Sequence, residues 1–198
     1  DQERASKNGA AQIMMNVSVI IPVYNAASFV AQAVESALQQ PETREVILVE
    51  DGSPDDSWEV CKQIAAESDD VHLFRHPGGV NRGAGASRNL GMRKSSCEYI
   101  AFLDADDYYL PRRFAKAKEI FQANLDCDGV YEAVERHIED EASWERWQRA
   151  GKPLKRLHSV SKRIEPHDLW EVLVMGRDSG FHLDGFVFKR HALDKAGH

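Results

Sequence analysis

The chain is poor in cysteine, with three among 198 residues. Cys61, Cys97 and Cys127 are too widely spaced to form a Cys-x-x-Cys pair. That argues against a zinc cluster and a disulfide framework, and makes a reducing compartment the default. No stretch reaches the ~18 consecutive apolar residues of a membrane span, and Asp1 to Asn8 lack the basic-then-apolar order of a signal peptide. Positive charge is short as well. Lys and Arg number 25 against 32 Asp and Glu, a net charge of -7, which argues against duplex nucleic acid as a partner. An anionic ligand would then need a local offset, such as a divalent cation. The eight histidines include no His-Glu-x-x-His array, and the one His-x-x-x-His spacing, His72 to His76, carries no Glu between its histidines, so a zinc hydrolase has no support. A Gly-x-Ser-x-Gly elbow is missing too. What is present, 42% hydrophobic and 29% charged residues, suits one soluble domain large enough to bury its own core.

Residues 1–14 are polar, small and aperiodic, and read as a disordered lead-in or a cloning remnant. The rest, 15–198, reads as one domain. Val17 to Pro22 is a short apolar run, a buried strand entering a loop. Phe29, Val30, Ala33, Val34, Ala37 and Leu38 then follow helical spacing with one buried stripe, closed by Pro41. Val46 to Val49 is a second strand. Ser53 is placed as the N-cap of the next helix, with Pro54 at its first position and Val60, Cys61, Ile64 and Ala65 inward. Val71 to Phe74 is a third strand, leading through a Gly-rich loop to a helix from about Ala84 to Lys94. Glu98 to Leu103 is a fourth, and Pro111 is expected to open a helix that buries Phe114, Ala117, Ile120 and Phe121. Strand and helix alternating in this way predict an α/β fold, a mostly parallel central sheet with helices on both faces. Further on the pattern loosens: a strand within Asp128 to Val134, a charged Trp-rich stretch to Ala150, a basic loop over 151–163, a helix over 166–175 and a late strand Phe186 to Phe188.

In such sheets ligands bind outside the carboxyl ends of the strands. The residues at those ends are Pro22-Val-Tyr-Asn25, Glu50-Asp51-Gly-Ser53, the segment Asn81 to Gly91, and Asp104-Ala-Asp-Asp107. Mainly carboxylates and amides, they repel a diphosphate unless a hard cation such as Mg²⁺ or Mn²⁺ bridges them. If extended geometry persists past the fourth strand, Asp104 and Asp106 point to the same side and can share a ligand. The Gly-rich segment fails two tests. Gly83-Ala-Gly85 begins a dinucleotide fingerprint but reaches Arg88 where Gly or Ala is needed. Gly78 and Gly83 have Walker spacing but are followed by Ala84-Gly85 instead of Lys-Ser/Thr. A loop entering a helix remains, with Arg82 and Arg88 able to reach a base or phosphate.

Val19-Ile-Ile-Pro-Val-Tyr-Asn25, Val49-Glu-Asp-Gly-Ser53, Gly85-Ala-Ser-Arg-Asn-Leu-Gly91 and Phe102-Leu-Asp-Ala-Asp-Asp107, in that order, resemble the nucleotide-sugar domain of family 2 glycosyltransferases. The resemblance implies the Rossmann-like GT-A fold and sugar transfer with inversion, from a nucleoside diphosphate sugar (a UDP-sugar by preference) to an acceptor hydroxyl. It implies that Pro22, Val23, Tyr24 and Asn25 line the base, that Asp51 accepts from it with Glu50 beside, and that Arg82 or Arg88 flanks base or diphosphate. Asp104, with Ala105, would face the ribose. Asp106 would bind Mg²⁺ or Mn²⁺, supported by Asp107. The implied acceptor is a saccharide or a lipid-linked sugar, as in polysaccharide biosynthesis. The implied location is the cytoplasm, or the inner membrane face, and homo-oligomerisation is left open. The segment Gly185 to Gly197 is similar to the strand and helix preceding the family's catalytic acid, which usually lies in a Glu-Asp or Gln-Asp pair. The chain stops at His198, so truncation before the base is expected, with binding but poor transfer. No catalytic residue is assigned within it. Asp184 is an in-chain candidate, and Asp140 lies in a charged stretch outside the motif. The second reading is a non-catalytic nucleotide-sugar binding module. A nucleotidyltransferase is disfavoured, because Pro22-Val-Tyr-Asn25 stands where its basic phosphate loop should be.

Overall fold

The computed structural model describes residues 14–135, 137, 138, 140–150, 157, 158 and 181–195. The lead-in before Met14, most of the expected basic loop and the expected helix over 166–175 lie outside the described residues. β1 (Val17–Val23) is buried at all seven positions, as expected of a strand covered on both faces. It leads through α1 (Val30–Leu38) to β2 (Thr43–Glu50), then through α2 (Ser57–Glu67) to β3 (Val71–Arg75). A 3-10 turn (Pro77–Gly79) and α3 (Ala84–Lys94) lead to β4 (Tyr99–Phe102). Beyond it come α4 (Ala115–Ala123), β5 (Gly129–Tyr131), β6 (Val134–Glu135), α5 (Glu141–Arg149), β7 (Leu157–His158), β8 (Phe186–Lys189) and α6 (Arg190–Lys195).

The main sheet has the order β3-β2-β1-β4-β8-β5, and β6 pairs with β7 in a separate ribbon. β1 pairs in parallel with β2 and β4, and β2 with β3. β8 runs antiparallel to both β4 and β5. The sheet is therefore mixed but mostly parallel, with its strand order reversing beside β1. One face carries Val17, Val19, Ile21 and Val23 against Val30, Ala33, Val34 and Ala37 of α1, Cys61 of α2 and Phe114, Ala117 and Phe121 of the α4 region. The other packs Ile20, Ile47, Val49, Ile100 and Phe102 against Met92 and Leu90 of α3. Full burial of each such aliphatic side chain stabilises by ~1.5–3 kcal/mol. A Cβ at Gly91 would overlap Ile20, so glycine is what lets α3 lie this close to the sheet.

Several expected boundaries move for identifiable reasons. Ser53 does not cap α2, which begins at Ser57 with Asp56 at the N-cap position. The 53–57 segment is recruited by the loop after β1 instead. Ser53 Oγ accepts from Asn25 N (3.1 Å), Asp55 Oδ2 from Ala27 N (3.0 Å) and Ser57 Oγ from Ala26 N (2.9 Å). Pro111 does not open α4 directly, because Arg112 has φ +65° and a left-handed residue cannot lie in a first helical turn. The expected strand within Asp128 to Val134 is split: β5 pairs with β8, whereas β6 pairs with β7. The Trp-rich stretch, left unassigned from sequence, forms α5, with Asp140 as an N-cap accepting from Ser143 N.

The loop from β4 to α4 is fastened to α1. Ser36 Oγ accepts from Tyr109 N (3.0 Å), Gln40 Oε1 accepts from Arg113 N (2.9 Å), and Tyr109 Oη donates to Phe102 O (2.6 Å). Tyr109 is buried, and desolvation pushes its hydroxyl far above the usual range, so the phenol stays a donor. These bonds fix the segment Asp104 to Asp107 at the carboxyl end of β4.

Candidate functional site

A cleft of about 230 Å³ opens at the carboxyl ends of β1, β2 and β4, where the strand order reverses. Its walls are the 22–26 segment, Phe29, Asp51, Ala84 and Arg88 of α3, and Asp104, Ala105 and Asp106. Tyr24 (53% exposed) and Phe29 (48%) present flat apolar surfaces at its edge. Asp51 and Asp106 thus share one cleft although 55 positions separate them in sequence.

Strand alternation parts Glu50 from Asp51. Asp51 faces the cleft and is 2% exposed. Its two oxygens accept the backbone N–H groups of Arg82 and Gly83, at 2.7 Å each, and His76 Nε2 lies 3.6 Å away. The carboxylate therefore holds the 81–83 loop in place, while each oxygen keeps a second lone pair. Gly52 follows with φ +70°, where a Cβ would stand 2.7 Å from both Asn81 N and Gly79 O. Only glycine fits that turn. Glu50 is fully buried away from the cleft lining. It accepts from Ser53 N at 2.6 Å and pairs with Arg75 Nε at 2.5 Å. Arg82 contributes its backbone to Asp51, and its side chain is not part of the lining.

After β4 the chain does not stay extended. Asp107 N donates to Asp104 O at 3.0 Å, a tight turn that carries Asp106 to an exposed position and returns Asp107 towards Asp104. The Arg88 guanidinium forms a hydrogen-bonded ion pair with Asp104 Oδ1. Asp104 N in turn donates to both oxygens of Asp184 (3.2 Å each). Asp184 is 4% exposed. Desolvation pushes its carboxyl up to about 9, helped by the negative charges of Asp104 and Asp107 and by a hydrogen bond to Asp107. Among the described residues, ligand atoms of Asp104, Asp107 and His182 lie within 4.8 Å of one another.

Pro22, Val23, Tyr24, Asn25, Asp51, Arg88, Asp104, Ala105 and Asp106 are thus brought to one cleft, Asp107 stands in the adjoining cluster, and Glu50 and the Arg82 side chain stand elsewhere. Sequence reasoning missed His182, and named Asp184 only as an in-chain candidate for the catalytic acid, without its contact to the Asp104 segment. The signal was the late strand. Because β8 is antiparallel to β4, residues just before Phe186 must lie beside the end of β4, where Asp104 begins.

The family model described as "Glycosyl transferase family 2" matches residues 18–182. An uncharacterized glycosyltransferase of Rickettsia bellii is 35% identical over 159 residues, 79% of this chain and 21% of that protein. The succinoglycan biosynthesis protein ExoU of Rhizobium meliloti is 39% identical over 101 residues, 51% of this chain and 29% of its own. Among solved structures, the mannosyltransferase PcManGT from Pyrobaculum calidifontis, in complex with GDP-Man and Mn²⁺, aligns with TM-score 0.58 at 23% identity, over 92% of this chain and 46% of that one. Staphylococcus aureus TarS 1-349 in complex with UDP-GlcNAc aligns with TM-score 0.57 at 17% identity, over 92% and 47%. The chain spans under a third of these two curated relatives and under half of these two solved chains.

Proposed function

Because this chain belongs to glycosyl transferase family 2 and has the GT-A fold, we propose that its cleft binds a nucleoside diphosphate sugar for metal-assisted, inverting transfer to an acceptor hydroxyl. The observation that carries this reading is the meeting of Tyr24, Asp51, Arg88, Asp104 and Asp106 in one cleft at the sheet's switch point. The resemblance favours a UDP-sugar as donor and a saccharide or lipid-linked acceptor. No helix among the described residues is long and apolar enough to cross a membrane.

In this reading the base lies against Pro22, Val23 and the Tyr24 edge, with a base N–H directed at the spare lone pairs of Asp51. Asp104 faces the ribose, and Arg88, already paired with it, flanks the diphosphate. Three acids and one base are among the residues lining the cleft, so a diphosphate there needs further positive charge. The donor set fits a divalent cation: Asp104 and Asp107 bring carboxylate oxygens together, and Asp106 stands at the open side of the cleft. When bound, Mg²⁺ or Mn²⁺ supplies the positive charge that stabilises the departing diphosphate. In this reading Asp184 has a positioning role: without a bound cation, burial and the charges of Asp104 and Asp107 push its carboxyl up to about 9, which keeps it protonated at neutral pH. Its neutral form donates to Asp107 and holds that side chain. Deprotonation of the acceptor needs another carboxylate, which the resemblance puts in the acidic pair following the Gly197 position.

A thermal-shift panel of UDP-sugars and GDP-mannose, with and without Mn²⁺, tests the reading. Ligand at a hundred times its Kd stabilises by ~2.7 kcal/mol, or a rise of ~5–10 °C for a domain of this size. The expected result is a Mn²⁺-dependent rise with at least one UDP-sugar, whose metal-dependent part shrinks in Asp106→Ala and in Asp107→Ala. No rise with any nucleotide would overturn the proposal. Binding with no donor consumption would favour the non-catalytic module.

A further inference from the structure

We propose that His182 is a nitrogen ligand of the cation, so that the site selects Mn²⁺ over Mg²⁺. The inference rests on the reading of the cleft as a metal-assisted donor site, and adds a ligand from outside the Asp-Ala-Asp-Asp segment. His182 precedes β8, whose antiparallel pairing with β4 brings it to the Asp104–Asp107 turn. The ligand atoms of the three residues lie within 4.8 Å of one another. Around an octahedral ion with donors at ~2.1 Å, cis donors stand ~3 Å apart and trans donors ~4.2 Å apart. One pair can stand trans, closing by no more than ~0.6 Å, and the two cis pairs close by no more than ~1.8 Å, which side-chain rotation supplies. His182 is 36% exposed at its side chain, so the imidazole can turn and the ion keeps room for water and phosphate oxygens.

The chemistry of the set decides which ion it prefers. Two carboxylates alone make a hard oxygen site suited to Mg²⁺, which dehydrates reluctantly and favours oxygen. An imidazole suits transition metals, and affinity at a mixed nitrogen and oxygen site rises from Mn²⁺ through Fe²⁺ to Co²⁺. Arg88 already occupies Oδ1 of Asp104, which weakens that carboxylate as a ligand and increases the weight carried by Asp107 and His182.

Electron paramagnetic resonance of Mn²⁺, added alone and with UDP, tests the ligand directly. The expected spectrum shows electron spin-echo modulation from a directly bound ¹⁴N, which changes on ¹⁵N-histidine labelling of the unsubstituted protein and disappears in His182→Gln. Mn²⁺ affinity should fall by about tenfold or more in that variant. In competition Mg²⁺ should displace Mn²⁺ only in large excess, and His182→Asp, which restores an oxygen donor, should narrow that excess. Mn²⁺ bound without nitrogen modulation would overturn the role of His182 and leave the donor-site reading standing. Failure to retain Mn²⁺ with or without UDP would overturn both. Labelling needs no substitution, so a misfolded variant does not remove the test.

Discussion

Replacing Asp184 by Asn should make the metal-free protein more stable, by an amount that grows with pH. Asp184 accepts from Asp104 N with its oxygens and, while protonated, donates to Asp107. An amide makes both kinds of bond and never ionises. The ordinary carboxyl titrates at 3.8, whereas the folded one is pushed up to about 9. Between those values the native state holds a proton that the unfolded state has released, so wild-type stability falls as pH rises. The penalty is absent below about 3.8, increases through the window and levels off above about 9. At 1.36 kcal/mol per unit, the ceiling is ~4 kcal/mol at pH 7 and ~7 kcal/mol above pH 9. The native chain can open locally around the turn instead of holding the charge, which sets the realised value below that ceiling. Urea unfolding in EDTA from pH 5 to 9 gives the difference between variant and wild type. It should rise with pH by up to ~1.4 kcal/mol per unit, passing ~1 kcal/mol in favour of the amide variant by pH 7. A difference that is flat across this range would refute the assignment of a buried neutral acid.

Arg88→Ala removes the cationic partner of Asp104, worth ~1.5–3 kcal/mol as a charged hydrogen bond. UDP affinity should drop by about tenfold or more by calorimetry, and unchanged affinity would remove Arg88 from the donor site. Gly52→Ala puts a Cβ 2.7 Å from Asn81 N and Gly79 O at φ +70°. It should cost ~1–3 kcal/mol in urea unfolding, and wild-type stability would contradict the close approach of the two loops. Asp51→Ala frees the amides of Arg82 and Gly83. Hydrogen exchange at those two positions should speed up by about an order of magnitude or more, whereas unchanged protection would show that the loop is held by something else.

The parallel half of the sheet was legible because its signals are local. Val17–Val23 and Tyr99–Phe102 are short apolar runs, and Ala84–Lys94 was bounded correctly at both ends. Misplaced boundaries share one cause. Ser53, Pro54 and Asp55 form a good helix start by composition, yet Ser53 and Asp55 bond to the backbone of residues 25–27. Tertiary partners, the backbone N–H groups of Asn25 and Ala27, outcompeted the local cap. Pro111 likewise suits a first helical position, but the anchoring of Tyr109 and Arg113 to Ser36 and Gln40 sets the path of the chain before the helix can begin.

Legibility of the site divides along the same line. That the strand ends converge follows from topology, and Asp51 and Asp106 do share one cleft. Which carboxylates cluster follows from the chain's direction after β4, which no periodicity records. Extended geometry would pair Asp104 with Asp106. The turn closed by the Asp107 N–H on Asp104 O leaves Asp106 exposed and gathers Asp107 and His182 instead. His182, and the placement of Asp184 beside Asp104, could enter only through strand pairing, since nothing within Phe181 to Gly185 marks the end of β4 as their neighbour. The antiparallel β4 and β8 register brings both to the Asp104 turn. Motif spacing thus locates ligands supplied by one turn, and misses those supplied across a ladder.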